Sequence, residues 1–531
     1  MFDCIYKTLT KLLFLTGLLF LFTNSMSQVE EIGLPNVVNF SPREYRQESQ
    51  NYSITQDERG YMYFGNLNGI MMFDNSEWRF VKYKGRPILV HGNNNIIYVG
   101  GYNRISKLIL ENGILKLEDF KIPSNIVPNQ INKVIVREND VLFVADNYIL
   151  KLQDNKVKLL YFNERKLNAF YLKDEVYITI NELGLYILNN DEINSVNYNH
   201  YFVGKNIIDV FSDHNQNIVI KTENEAGFYK QKDGQINYFN SQIDYFISAN
   251  GYSKSLALKN GNIIIGTVFG GLVCIDSIGN YMFSLNKRNL LLDNHITDIF
   301  LDNNSKIWLT TYNGISQIDV KSPYSFIDDN LGLYGVISSI IRYKNKLFFG
   351  TSQGVYYSSN DLNYDYDING FSDDKKYVKL YQSIGEAQHL RLINNELYVA
   401  ATSGIFKILD GQNANLIIQG YFRQLHQSEF NDSIVYATGR NGLLVLKNEN
   451  NILKQIGYIN GLDYDVRTIV HEAANIIWLG SNNDGFFRLE FNNDDILNPE
   501  IVQYNSGFGL PEEYEWADVY KTSFGILFST G

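Results

Sequence analysis

Cysteine and proline are scarce in this sequence, which has two Cys and eight Pro among 531 residues. Cys4 lies in an N-terminal segment that we expect to be removed, which leaves Cys274 as the one thiol of the mature chain. An intramolecular disulfide and a cysteine-based metal site are therefore excluded. Cys274 lies in GGLVCID, a run typical of a strand, and we expect it to be a small core residue.

Basic clusters are also missing, because Lys and Arg occur at most in isolated pairs and the formal net charge is −12. Nucleic-acid binding by this segment is therefore excluded, since neutralising phosphates requires a basic face. Aromatic residues make up 14% of the chain and no long polar tract occurs, which argues against disorder and for a large buried β core.

Long apolar runs are confined to the N-terminus. Residues 1–27 have the pattern of a signal peptide: Lys7 and Lys11 precede an apolar run from Leu12 to Phe22, and Ser25 and Ser27 offer a cleavage site before Gln28. The run is short for a membrane span of about 20 residues, although an uncleaved anchor remains an alternative. We expect the rest of the chain to be exported, in the periplasm or beyond, with no further span and no cytoplasmic domain.

One stretch, ITDIFLDNNSKIWLTTYNGISQID from Ile296 to Asp319, defines a unit of three short strands. The cluster Asp302 to Ser305 predicts a tight turn. Asn313-Gly314, between two apolar runs, predicts a hairpin with a type I′ turn.

This unit recurs along the chain as a β-rich triplet followed by a small or polar residue, in most copies with a Gly four or five positions later. The twelve copies lie about 42 residues apart on average. They are Met62–Gly65, Ile97–Gly100, Leu142–Ala145, Val176–Thr179, Ile218–Lys221, Ile263–Gly266, Ile307–Thr310, Leu347–Gly350, Leu397–Ala400, Ile434–Ala437, Ile477–Gly480 and Ile526–Ser529.

A period of this length, with strand-sized runs and turn signals, indicates all-β propeller blades. A helical solenoid is excluded, because the runs are short, β-branched or aromatic and interrupted by Asn, Asp and Gly. Twelve blades exceed one ring, so we expect tandem β-propellers: a seven-bladed first ring in residues 28–325 and an incomplete second ring in 326–531. Because the last copy is cut in mid-motif, we expect the sequence to be a fragment.

The copies containing IWL, at Trp308 and Trp478, resemble the two-component regulator propeller repeat, and Gly33 to Val81 resembles the start of Bacteroidetes sensors built from it. The resemblance implies the periplasmic sensor region of a hybrid histidine kinase or triple-tyrosine regulator, dimeric in the full receptor and responsive to a glycan fragment or another small molecule. Kinase or DNA-binding activity would belong to the full-length relative. This chain itself is expected to have no enzymatic activity.

The residues offer no catalytic, cofactor or metal constellation. The seven histidines lack metal-ligand spacing, no HExxH, GxSxG, GxxxxGK[ST] or GxGxxG occurs, and the loop from Asp302 to Ser305 lacks the Gly and distal Glu of an EF-hand. We expect turn or surface positions for His295 and His471.

Among the tryptophans, Trp308, Trp478 and Trp78 are expected to pack in blades, and Trp516 is a weak candidate for ligand binding. Ligand sites on a propeller should lie on the loops of one face, around the central channel. The function predicted is ligand sensing. The alternatives are an exported propeller enzyme acting on polysaccharide, which would need clustered carboxylates or His, Tyr and Arg, and a protein-interaction scaffold.

Overall fold

The computed structural model describes residues 33–531 apart from 233, 360–365, 368–369, 372–375, 382, 410–412, 493–494 and 512–514. For the short strands Tyr366–Asp367 and Gly370–Phe371 it describes the backbone pairing. The predicted signal peptide and Cys4 lie outside the described residues. The chain divides into two compact units, one built on Leu34–Phe326 and the other on Ile327–Leu362 with Lys375–Gly531.

Within Leu34–Phe326 the described residues form seven four-stranded antiparallel sheets, called blades 1 to 7 here. Blades 1 to 6 each use four consecutive strands. Blade 1 is Asn51–Gln56, Met62–Asn66, Gly69–Phe73 and Trp78–Lys82; blade 2 is Ile88–His91, Ile97–Gly101, Arg104–Glu111 and Ile114–Phe120; blade 3 is Ile131–Val136, Val141–Ala145, Tyr148–Gln153 and Lys156–Phe162; blade 4 is Leu167–Leu172, Glu175–Ile180, Gly184–Asn189 and Glu192–Ser195; blade 5 is Ile207–Ser212, Ile218–Thr222, Phe228–Lys232 and Gln235–Phe239; blade 6 is Tyr252–Ala257, Ile263–Thr267, Leu272–Ile275 and Tyr281–Leu285.

Blade 7 joins the two ends of this unit. Its strands Ile296–Leu301, Ile307–Thr311 and Gly314–Asp319 are completed by Asn36–Phe40, which pairs antiparallel with Gly314–Asp319. The first strand of every blade contacts the first strand of the next, and that of blade 7 contacts that of blade 1. The Thr297 hydroxyl donates to the Asn51 carbonyl across this junction at 2.6 Å. The unit is therefore a closed β-propeller, which leaves no blade face unpaired.

The second unit contains four more four-stranded sheets, blades 8 to 11, and a final hairpin. Blade 8 is Ile337–Tyr343, Lys346–Thr351, Gly354–Ser358 and Tyr377–Lys379; blade 9 is Ala387–Ile393, Glu396–Ala401, Gly404–Ile408 and Ala414–Gln419; blade 10 is Phe422–Gln427, Ile434–Gly439, Gly442–Glu449 and Ile452–Tyr458; blade 11 is Val466–Ala473, Ile476–Ser481, Phe486–Glu490 and Glu500–Tyr504; the hairpin is Ala517–Thr522 and Gly525–Thr530. The first strands again adjoin in order, from blade 8 to the hairpin.

Helices among the described residues are short: the α-helices Pro42–Tyr45 and Asp244–Asn250 and the 3₁₀ turns Asn93–Asn95, Asn199–Tyr201, Asp329–Leu331 and Ser506–Phe508. None of the described helices is long and apolar enough to span a membrane. The all-β prediction is confirmed.

The hydrophobic core consists of clusters between neighbouring blades, and this explains the small residue that ends most copies of the repeat. A Cβ on Gly65 would lie 2.2 Å from the Pro87 carbonyl oxygen, in the segment that leads into blade 2. Gly65 is therefore required by the close approach of two blades, whereas Gly314, at φ +113°, is required by its backbone conformation.

The predicted type I′ turn at Asn313-Gly314 is wrong. Thr311 pairs with Gly314, so the two loop residues are Tyr312 and Asn313, and neither has a positive φ. The Thr311 hydroxyl accepts from the Asn313 N–H at 3.1 Å, which stabilises this alternative turn. Pairs of positive φ typical of type I′ turns occur elsewhere, for example at Asp154-Asn155.

The closing strand generates a first prediction. Phe40 stacks on Trp308 with ring centroids 5.6 Å apart and also contacts Phe73 and Trp78. Phe40→Ala removes these contacts from the junction of blades 7 and 1. We expect it to lower the free energy of unfolding by about 2 kcal/mol, less than for a fully buried Phe because Phe40 is half-buried.

Calorimetric unfolding measures the effect. Val38→Ala on the same strand is the matched control, because Val38 is 43% exposed and its truncation should cost less than about 0.5 kcal/mol. Equal shifts for the two variants would contradict the role given to Phe40.

Candidate functional site

The antiparallel order of each blade brings two kinds of loop to one face of the first propeller, called the upper face here. It carries the turns between second and third strands and the connections from one blade to the next. Both approach the start of the first strands, which surround the central channel. Loops on this face are thus free to differ between blades without disturbing the sheets.

One half of the upper face is apolar. The turns between the second and third strands of blades 6, 7, 1 and 2, which are neighbours in the ring, each expose one large apolar side chain: Phe269 (69% exposed), Tyr312 (38%), Leu67 (41%) and Tyr102 (59%). Three of the four are aromatic. This group of residues is called the aromatic arc below.

The centre of the arc is an ordered stack. The His295 imidazole lies on the Tyr312 ring with centroids 3.8 Å apart and an interplanar angle of 17°. Tyr52 meets Tyr312 edge-on at 6.1 Å, and the Arg86 guanidinium lies over the Tyr52 ring at 5.4 Å. Burial lowers the pKa of His295, partly opposed by Asp293, so the imidazole in this stack is neutral near pH 7.

A bulge in the first strand places Tyr52 in this stack. The register of blade 1 shifts between Asn51 and Ser53, so Tyr52 is the extra residue. Arg86 is fixed from the neighbouring side, because its guanidinium donates to the Asn132 amide oxygen at 2.9 Å and its carbonyl accepts from Gln130 at 2.9 Å. The cation and the rings are therefore held in place before any ligand arrives.

The other half of the upper face is acidic, and its acids are occupied. The corresponding turns of blades 3 and 4 carry Asp146, 3.6 Å from Lys166, and Glu182, paired with Arg165. In blade 5 the turn residue Glu225 pairs with Lys205 at 2.9 Å. Lys166 lies in the connection from blade 3 to blade 4, so its pair with Asp146 joins two neighbouring blades. Arg165 and Lys205 lie in the connections that lead into blades 4 and 5, the blades that carry their own partners Glu182 and Glu225.

Trp516, the weak ligand candidate, lies in the second unit just before the hairpin strand Ala517–Thr522. Its ring is half-buried and lies 5.7 Å from the guanidinium of Arg467, which also pairs with Asp518 at 3.0 Å. The Gly531 N–H donates to the Trp516 carbonyl at 3.0 Å. These contacts provide a packing role for Trp516, and a ligand-binding role stays a prediction.

The other tryptophans and the Asp302 loop lie where the sequence predicts. Trp308 is 1% exposed, and its indole N–H donates to the Asp302 carboxylate at 2.9 Å. The same carboxylate accepts from the Lys306 N–H at 2.8 Å, which closes the turn. Among the described residues no group of three or more His, Cys, Asp or Glu side chains is placed to hold a metal ion.

The surface position expected for His471 is wrong, because this residue is 1% exposed. It lies on the first strand of blade 11, with its ring centroid 5.2 Å from that of His426 in blade 10. His389 occupies the first strand of blade 9 and accepts a hydrogen bond from the Leu425 N–H at 3.3 Å. His389, His426 and His471 are called the histidine row below. The sequence gives no signal for it, because about forty residues separate one member from the next.

Burial determines the charge of these histidines. It lowers the pKa of His389 to about 4, with the positive charge of Arg391 acting in the same direction. Burial likewise lowers the pKa of His426 to about 4, with His471 and Arg391 contributing. Both imidazoles are therefore neutral at pH 7 and resist protonation in the folded state.

Comparison with known proteins supports the fold. No protein-family model and no curated protein matches the sequence. Among solved structures, the chain is similar to the extracellular domain of a protein named as a hybrid two-component system from B. thetaiotaomicron, with 16% identity, a TM-score of 0.69, and 94% of this chain and 70% of that chain covered. A second such extracellular domain from the same organism matches with 16% identity, a TM-score of 0.44, and coverage of 94% and 70%. Virginiamycin B lyase from Staphylococcus aureus matches with 12% identity, a TM-score of 0.44, and coverage of 54% and 98%.

At these identities the first comparison establishes a shared propeller fold. The resemblance predicted from the repeats is therefore confirmed at the level of architecture, because the extracellular domain of a sensor system aligns along almost the entire chain.

The histidine row generates a second prediction. In the unfolded chain these imidazoles should titrate near 6.5, whereas the folded pKa values of His389 and His426 are about 4. The unfolded state therefore binds more protons between these values, and the stability of the second unit falls as the pH drops below about 6.5. We expect the loss to reach about 2 kcal/mol by pH 5, after allowance for partial solvent exposure.

Calorimetry at pH 7.5, 6 and 5 compares the natural chain with a His389→Gln/His426→Gln variant. The variant keeps only His471 of the row, so its unfolding temperature should fall less between pH 7.5 and 5. A parallel decline in the two proteins would show that other groups control the pH dependence.

Proposed function

We propose that this chain is the exported, ligand-sensing propeller region of a two-component-type signalling receptor, and that it binds a glycan fragment on the aromatic arc. In this proposal Leu34–Phe326 is the first propeller domain, and the blades from Ile337 onward belong to a second. The observation that carries the proposal is the division of the upper face, where exposed apolar side chains, three of them aromatic, cluster on four neighbouring blades and paired acids occupy the rest.

The chemistry of the arc suits a sugar. Tyr102, Phe269 and Tyr312 present rings on which the C–H face of a pyranose packs, since an aromatic ring offers a flat apolar surface of low conformational entropy. Arg86 and the polar residues beside the rings, such as Asn313 and Asn103, supply directional hydrogen bonds to hydroxyl groups. The arrangement of a few polar groups around apolar rings is typical of a binding surface.

The same geometry favours binding over catalysis. The acids Asp146, Glu182 and Glu225 on this face are held by Lys166, Arg165 and Lys205, so they already have basic partners. A glycosidase needs a pair of carboxylates that flank the scissile bond, one of them protonated. Sensing would operate by a shift between two arrangements of a receptor dimer, and it requires that the glycan bind one arrangement more tightly than the other.

Isothermal titration of the purified chain against a library of oligosaccharides tests the proposal. We expect at least one glycan to bind without being cleaved, and Phe269→Ala and Tyr102→Ala each to weaken it about tenfold, the loss of about 1.4 kcal/mol of ring contact.

Ile278→Ala is the matched control. Ile278 is 75% exposed in the turn between the third and fourth strands of blade 6, on the opposite face, and its truncation should leave affinity unchanged. Absence of binding across the library would reject the glycan proposal. Release of shortened products would favour a polysaccharide-degrading enzyme, and a co-purifying protein without a glycan ligand would favour a scaffold.

A further inference from the structure

The central channel of the first propeller contains a cavity of about 400 Å³ that is separate from the aromatic arc. Its wall is formed by the first strands of blades 2 to 6. Most of that wall is apolar, with Phe170, Phe211 and Val136 among the lining residues. A volume of this size lies within the usual range of small-molecule pockets, about 300–1,000 Å³.

Charged residues enter the channel at one recurring position. In blades 3, 5, 6 and 7 the register of the first strand shifts by one residue, and the residue that follows the shift is Lys133, Asp209, Lys254 and Asp298 respectively. The bulge thus brings two cations and two anions to the same level of the ring, although they are far apart in sequence.

The two carboxylates already have donors. Asp209 accepts from the Tyr252 hydroxyl, from the Ser255 N–H at 3.0 Å and from the Val210 N–H at 2.9 Å. Asp298 pairs with Lys254 and accepts from the Ile54 N–H at 2.9 Å and the Ile299 N–H at 3.0 Å. Neither carboxylate is in need of a further cation, so a positively charged ligand has no free partner at this level.

One polar group on the cavity wall has unused hydrogen-bonding capacity. The Lys133 ammonium makes no hydrogen bond and no ion pair with any described residue, and it lies over the Phe170 ring, 5.6 Å from the ring centroid. An ammonium is only a donor, so the group that would satisfy it is an acceptor oxygen.

The electrostatics agree with this geometry. Burial lowers the pKa of Lys133, and the neighbouring Lys254 adds to the shift, while Asp298 and Asp209 oppose it. An additional negative charge beside Lys133 would favour its charged form.

We propose that this cavity binds a small organic carboxylate with an apolar body, its carboxylate accepting from Lys133 and its body lying against the aromatic and aliphatic wall. The inference does not depend on glycan binding, because the cavity and the aromatic arc share no residue.

Benzoate is a suitable probe, because it joins a carboxylate to an apolar ring, and benzamide is its neutral counterpart of nearly equal shape. In isothermal titration of the purified chain we expect benzoate to bind and benzamide to bind at least about tenfold more weakly. Lys133→Met, which keeps an unbranched side chain only one atom shorter and removes the charge, should weaken benzoate binding at least about tenfold.

Lys82→Met is the matched control, since Lys82 is exposed on the fourth strand of blade 1, and it should bind benzoate as the natural chain does. The proposal is overturned if benzoate and benzamide bind equally, if neither binds at millimolar concentration, or if Lys133→Met retains full affinity. Should Lys133→Met fail to fold, the comparison of benzoate with benzamide on the natural chain still decides the matter. Failure of benzoate to bind would leave the glycan proposal untouched.

Discussion

Closure of the ring is the constraint on which the first unit depends. Each blade is apolar on both faces, so it is stable only between two neighbours, and a linear row would leave two faces in water. The strand Asn36–Phe40 removes this problem by completing blade 7 with residues from the start of the unit. The stack of Phe40 on Trp308 then joins the two ends of the chain segment through side chains as well as through backbone hydrogen bonds.

The same closure creates the two places where a ligand would bind. It brings the turns of blades 6, 7, 1 and 2 together on one face, so that Phe269, Tyr312, Leu67 and Tyr102 form a continuous arc. It also encloses the first strands, so that Lys133, Asp209, Lys254 and Asp298 lie in a channel of reduced solvent access. Charges in such surroundings interact more strongly than they would on an open sheet, which explains why both carboxylates are surrounded by donors.

How far the sequence predicts the structure depends on the range of the interactions involved. Trp308 in the core and Asp302 in its turn follow from local pattern, because their strand and turn are formed by residues within about ten positions. The turn at Asn313 and the burial of His471 were predicted wrongly. The first depends on the Thr311 hydroxyl, and the second on a neighbour, His426, that belongs to another blade. Trp516 was predicted as a weak ligand-binding candidate because it is a tryptophan near a polar loop. The sequence contained no signal that Tyr52, Arg86 or Lys133 would lie in a candidate binding site.

By itself, the sequence determined that this protein is all-β, that it is built of blades about forty residues apart, and that it lacks the motifs of common enzymes, because periodicity and turn chemistry are local properties. Only the tertiary structure decided which blade closes the ring, which turns share a face and which charges meet in the channel. Those facts depend on contacts between residues such as Asn51 and Thr297, which adjoin in space although almost the whole first propeller separates them along the chain.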